Sequence, residues 1–184
     1  MRASSPPEPH TEGSLGPRGA AVDAWTTVNR ATVFLVEGVP QRIWGAPAPN
    51  LPGRTIRAIA AHLHNSRRRW IRTLGEEHGI AHPERVDEHT VTRKALATAL
   101  NKSSRGMTRL FELGELHGGA IPPTKLYTWR NLPLDLGHAL AYFAAHEGHH
   151  RGQIIMLARQ MGHRLDRRVV DGVWQWSGFV RERR

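Results

Sequence analysis

Cysteine is absent from the 184 residues. That single absence excludes disulfides, thiolate metal sites, iron–sulfur clusters and cysteine nucleophiles, and it fits a reducing compartment. No uninterrupted apolar run is long enough to span a bilayer, and the opening stretch MRASSPPEPHTEGSLGPRGA has no apolar core of signal-peptide length. The expectation is a soluble, cytoplasmic protein with no membrane partner. Zinc-finger spacing, aromatic RNA-binding strands, leucine heptads, internal repeats and alternating strand patterns are missing too.

What the chain does have is basic charge, a formal +10 with a pI of about 11.4. Arg54, Arg57, Arg67, Arg68, Arg69 and Arg72 fall on or beside one predicted helix, and the stretch from Arg151 onward is arginine-rich. Most of these positions are expected to face solvent. Such a surface attracts phosphates without reading sequence. Nucleic-acid binding is therefore kept only as a subordinate reading.

Residues 1 to about 20, rich in Pro, Gly and Ser, are expected to form a disordered extension, and residues 21–184 one domain. Asp23 is the expected N-cap of a first helix running to about Gln41, with Val28, Ala31, Phe34, Leu35 and Val39 as its apolar stripe. Asn29 and Glu37 on that helix are expected to face water, the alternative being that either turns inward toward a site. Pro47, Pro49, Pro52 and Gly53 make a loop. Thr55 opens a second helix that closes near Gly75–Gly79, with Ile56, Ile59, Leu63, Trp70 and Leu74 inward. His62 lies at the edge of that stripe, and His64, about 200° further round, faces elsewhere.

A third helix spans about Thr92 to Glu115, with Leu96, Leu100, Met107, Leu110 and Phe111 inward; Ser103, Ser104 and Gly106 invite a kink. The stretch HGGAIPPTKLYTWRNL is a crossover that Gly118, Gly119, Pro122 and Pro123 keep from being continuous helix. A fourth helix is expected from about Pro133 to Gly162. Leu136, Leu140, Phe143, Ala144, Ile154, Leu157 and Ala158 are its apolar members, and Gly148 and Gly152 allow close approach of another backbone. Trp174, Trp176 and Phe179 mark a C-terminal aromatic segment, read as docked on one end of the molecule or, alternatively, as a partner-binding patch. The class is all-α, a four-helix bundle.

Within the fourth helix, His146 and His150 stand four residues apart, hence on one face and able to aim at one ion. The spacing alone is weak: with 12 His in the chain, roughly one such pair arises by chance. A second pair exists, His78 and His82, but Gly79 interrupts it and Pro83 follows, so it reads as a helix end and turn. His146 and His150 instead lie in a proline-free run from Leu134 to Met161. A bundle core gathers side chains from several helices, and His62 is the best-placed third ligand. Three imidazoles leave a coordination position open, as catalytic zinc sites do.

Three stretches resemble the DinB/YfiT-like superfamily of metal-binding four-helix bundles: AHLHNSRRRW around His62, HEGHHRGQI from His146 to Ile154, and DGVWQW near the end. The resemblance covers about residues 23–180. It implies metal ligation by His62, His146 and His150, leaving out the adjacent His149. It further implies an up–down–down–up bundle, a homodimer, and zinc or nickel as the ion. Relatives include transferases and isomerases that use mycothiol, bacillithiol or glutathione, so a small-molecule substrate and a low-molecular-weight thiol are implied as well. Hydrolysis would use the same ligands. No catalytic residue is identified, and Glu147, though next to a ligand, points along a poor direction for a base. A metal-binding bundle that acts through protein partners, with Trp174 and Trp176 near the contact, is the alternative function.

Overall fold

The structure, a computed structural model, describes residues 19–49 and 53–181. The expected N-terminal extension and Pro52 lie outside the described residues, apart from the last positions of the extension. The described residues are helical: α1 Ala20–Gly38, α2 Gln41–Trp44, α3 Ile56–Gly75, α4 Arg93–Leu116, α5 Leu136–Gln160, α6 Arg167–Gly172 and α7 Trp176–Arg181, with a 3₁₀ turn Glu76–His78 after α3. An isolated bridge pairs Ala120 with Asp135 in the crossover. No described helix is long and apolar enough to cross a membrane.

Helix starts follow capping chemistry. The Thr55 hydroxyl accepts the Ala58 N–H at 3.0 Å, that of Thr92 the Ala95 N–H at 3.2 Å, and the Asp135 carboxylate the His138 N–H at 3.0 Å. Asp135 therefore sets the start of α5, which begins at Leu136 rather than at Pro133. Asp23 is not a cap. α1 starts earlier, behind Gly19, whose φ of 98° needs glycine and whose N–H donates to Glu115 Oε1 at 2.7 Å. Asp23 sits in the first turn, where a negative charge suits the helix dipole. α1 stops at Gly38 because Pro40 has no N–H to continue the ladder, and α2 starts afresh after it.

α1 and α3 each pack against both α4 and α5. α4 is one continuous helix past Ser103, Ser104 and Gly106. Those small residues serve packing. A Cβ on Gly106 would come within 2.6 Å of the Ile71 side chain, and Ser104 Oγ accepts the Trp25 indole N–H at 3.1 Å. Gly148 and Gly152 are not sites of backbone approach. A Cβ at Gly148 would meet only the Arg151 guanidinium at 3.8 Å, and at Gly152 nothing within 4 Å. The C-terminal segment docks on α1, through Val169 against Gly38 and through Phe179, whose ring centroid lies 5.8 Å from that of Phe34. Phe34 is thus a docking residue rather than a core one. The tryptophans are not buried in that docking: Trp174 is 75% and Trp176 38% exposed.

The apolar core falls into two parts. One gathers Leu35, Ile43, Trp44, Ile59, Leu63, Leu96, Leu100 and Ile154; the other gathers Trp25, Val28, Trp70, Ile71, Met107, Phe111 and Phe143. Between them lies a buried polar layer with a residue from each long helix: Asn29 and Thr32 on α1, Arg67 on α3, Ser103 on α4, and Glu147 and Arg151 on α5. Asn29 and Arg67 therefore point inward, against the expectation from their polarity, while Glu37 does face solvent.

Candidate metal centre

α3 and α5 lie side by side, and the edge they share carries three half-buried histidines. His62 projects from α3 and His146 and His150 from successive turns of α5, and their ligand atoms all lie within 4.8 Å of one another. His146 Nε2 is 3.3 Å from His62 Nε2 and 3.2 Å from His150 Nε2. A tetrahedral ion with metal–nitrogen bonds of about 2.0–2.1 Å has ligand–ligand edges of roughly 3.3–3.4 Å. Those two edges are thus present without any rearrangement, and the donor set fits a divalent cation.

Protonation agrees with ligation, which requires neutral imidazole. Burial pushes His146 down to about 4, and the neighbouring His150 adds to the effect. Burial and His150 also lower His62, and burial lowers His150 itself. The His150 ring is fixed from behind: its Nδ1–H donates to Gln153 Oε1 at 2.8 Å, and the Gln153 amide donates on to His149 Nε2 at 2.9 Å. This leaves the His150 Nε2 lone pair facing the other two rings, the usual arrangement behind a metal-bound histidine. His149 is exposed and outside the cluster.

The other described histidines are elsewhere. His64 faces away from the triad, as its helical angle requires, but into the protein; its ring lies 2.9 Å from both the Ala99 and Glu84 carbonyl oxygens. His78 is in the 3₁₀ turn and Gly79 follows in the left-handed conformation, so the pair with His82 is a helix end.

Glu147, beside His146, is wholly committed to the fold. Arg67 grips it with Nε to Oε1 and Nη2 to Oε2, both 2.8 Å, and the Thr32 hydroxyl donates to Oε2 at 2.7 Å. Burial by itself would raise this carboxyl, but the Arg67 guanidinium outweighs it and holds the group below the usual range. Arg67 also donates to Asn29 Oδ1 at 2.7 Å and stands 4.9 Å over the Trp25 ring.

Two depressions open beside the triad and share His62 and Glu88. One, about 290 Å³, is lined also by Ala58, Ile59, His150 and Gln153, with Arg54 at its side. The other, about 360 Å³, is lined by Arg68, Arg69, Arg72 and Arg85. Glu88 is the one carboxylate lining either, and sequence reasoning missed it. It comes from the connection between α3 and α4, where no helical periodicity assigns a direction to a side chain.

Fold and site define a class: an all-α protein whose adjacent helices bring three histidines to one point. The sequence profile of the DinB family matches residues 19–174, and the chain belongs to that family. No curated protein and no solved structure gives a match.

Proposed function

We propose that this DinB-family chain is a metal-dependent thiol S-transferase, with a zinc or nickel ion held by His62, His146 and His150. The observation that carries the reading is the convergence of three imidazoles beside open space, with His146 Nε2 at tetrahedral edge distance from both His62 Nε2 and His150 Nε2. When bound, the ion supplies Lewis acidity, which favours the deprotonated form of a thiol or of water at neutral pH. Gln153 keeps the His150 ring turned toward the ion. Ala58 and Ile59 offer an apolar wall for an electrophilic substrate, and Glu88 is the carboxylate available to take up the thiol proton.

The helix order in this reading is up–down–down–up. It is supported by α1 and α5 running from the Trp25 part of the core toward the Leu35 part while α3 and α4 run the other way. A cytoplasmic homodimer using mycothiol, bacillithiol or glutathione completes the proposal. A non-catalytic metal-binding bundle that acts through protein partners is the second reading, favoured by the 75% exposure of Trp174.

Elemental analysis of natively purified protein tests the metal. His62→Ala, His146→Ala and His150→Ala are each expected to lose it while keeping their helical circular dichroism. Thiol-consumption assays with the three thiols and a panel of electrophiles then test catalysis. Metal without turnover for any of them would leave the second reading standing.

A further inference from the structure

The apolar depression accounts for a reacting group, but not for the charge next to it. The neighbouring depression meets it at His62 and Glu88, and four guanidinium groups line it against that single carboxylate. Arg68 and Arg69 are adjacent on α3, Arg72 lies one turn further, and Arg85 comes from the connection to α4. Arg68 is held in place because its Nε donates to the Pro83 carbonyl at 2.9 Å. The ion pairs of Arg72 with Glu76 and of Arg85 with Glu88 are both 3.5 Å long and solvent-exposed. Pairs of that kind are worth little and give way easily. Arg69 makes no hydrogen bond or ion pair among the described residues.

We propose that the depression walled by Arg68, Arg69, Arg72 and Arg85 binds an oxyanion group, carboxylate or phosphate, of the molecule that reacts at the histidine triad. The proposal rests on the reading of that triad as a reaction centre. Guanidinium forks pair bidentately with both oxyanions, and a prefixed guanidinium loses less freedom on doing so. Clustered positive charge in a concave site also raises the local concentration of an anionic substrate. At about 360 Å³ the depression matches the small end of ligand sites, roughly 300–1,000 Å³. Among the described residues no Phe, Tyr or Trp lines it, and the one ring there, His62, belongs to the triad, so it lacks the stacking platform that single-stranded nucleic acid uses. A small anion fits these walls better than a polymer does.

The test follows arginine Nε–H resonances of the full chain during titration with succinate, inorganic phosphate and a thymidine oligonucleotide. Succinate or phosphate should give saturable shifts confined to Arg68, Arg69, Arg72 and Arg85, and the tighter of the two assigns the group. R68Q/R69Q should weaken that binding by about tenfold or more, and the exposed control pair R105Q/R109Q should leave it unchanged. Backbone amide spectra confirm that each variant is folded. Shifts spread over all the arginines, equal binding by R68Q/R69Q, or localised shifts with the oligonucleotide alone would each overturn the proposal. Metal content is read on the same samples. Anion binding at these arginines in a chain that takes up no metal would sink the proposed function while the oxyanion site itself stood. Metal uptake without anion binding would do the reverse.

Discussion

Gln153 does the quiet work at the centre. Its carbonyl oxygen fixes which nitrogen of His150 carries the proton, and so which one is free for an ion. Gln153→Ala should leave the helices intact but weaken metal affinity by about 10–100-fold, read by competition with a chromophoric chelator. The Arg67–Glu147 pair makes the opposite prediction, large for the fold and indirect for the metal. Removing Arg67 strands a carboxylate that is 1% exposed, so Arg67→Ala should cost about 3–5 kcal/mol in denaturant unfolding. Replacing both partners with Met should recover only part of that loss, because the buried Arg151 guanidinium then loses the Glu147 charge beside it. Neither member could be recognised from the sequence. Arg67 sits in a run of three arginines on α3 that reads as a solvated face, and its partner is 80 positions away. Amphipathic patterning assigns charge to the outside, and only the three-dimensional meeting of the helices overturns it. The histidine triad was legible for a converse reason: two of its members share one helix at a spacing that forces them onto one face.

At the scale of the element, legibility followed local chemistry. Thr55 and Thr92 announce α3 and α4 because a hydroxyl before an apolar stripe is a start signal that needs no tertiary partner. The start of α1 has no such signal. Gly19 is held by a carboxylate on α4, a contact invisible in the local sequence. The α4 small residues are ambiguous in the sequence because flexibility and close packing call for the same side chains. Gly106→Val decides between the two: a kink site would tolerate it, whereas a branched side chain pressed on Ile71 should cost about 1–3 kcal/mol. The cap of α5 gives a pH dependence. Hydrogen bonds from the His138 backbone N–H and ring hold the Asp135 carboxyl below its ordinary 3.8. A depressed carboxylate contributes stability that is complete above its unfolded value and is lost as pH falls through the lower folded one. Urea midpoints measured from about pH 5 down to pH 2 should therefore fall less steeply for Asp135→Ala than for the parent.

For the whole molecule, what matters is how much the fold would depend on the proposed ion. The triad ties α3 to α5 at one edge, but those same helices are already joined inside by Arg67 and Glu147 and by both parts of the apolar core. A structural zinc domain has no such second tie and unfolds when stripped. Here the stripped protein should stay helical and cooperative, because the ion adds to a core that is complete without it. Its contribution is then the mass-action one. Free metal at a hundred times its dissociation constant stabilises by about 2.7 kcal/mol, which for a chain of this length is a shift of roughly 5–10 °C in melting temperature. Chelation should lower the melting temperature by that amount and no more, and metal should restore it. In His62→Ala the melting temperature should ignore metal and chelator alike. Collapse of the helical signal on chelation would mean that the ion, and not the buried polar layer, holds the helices together.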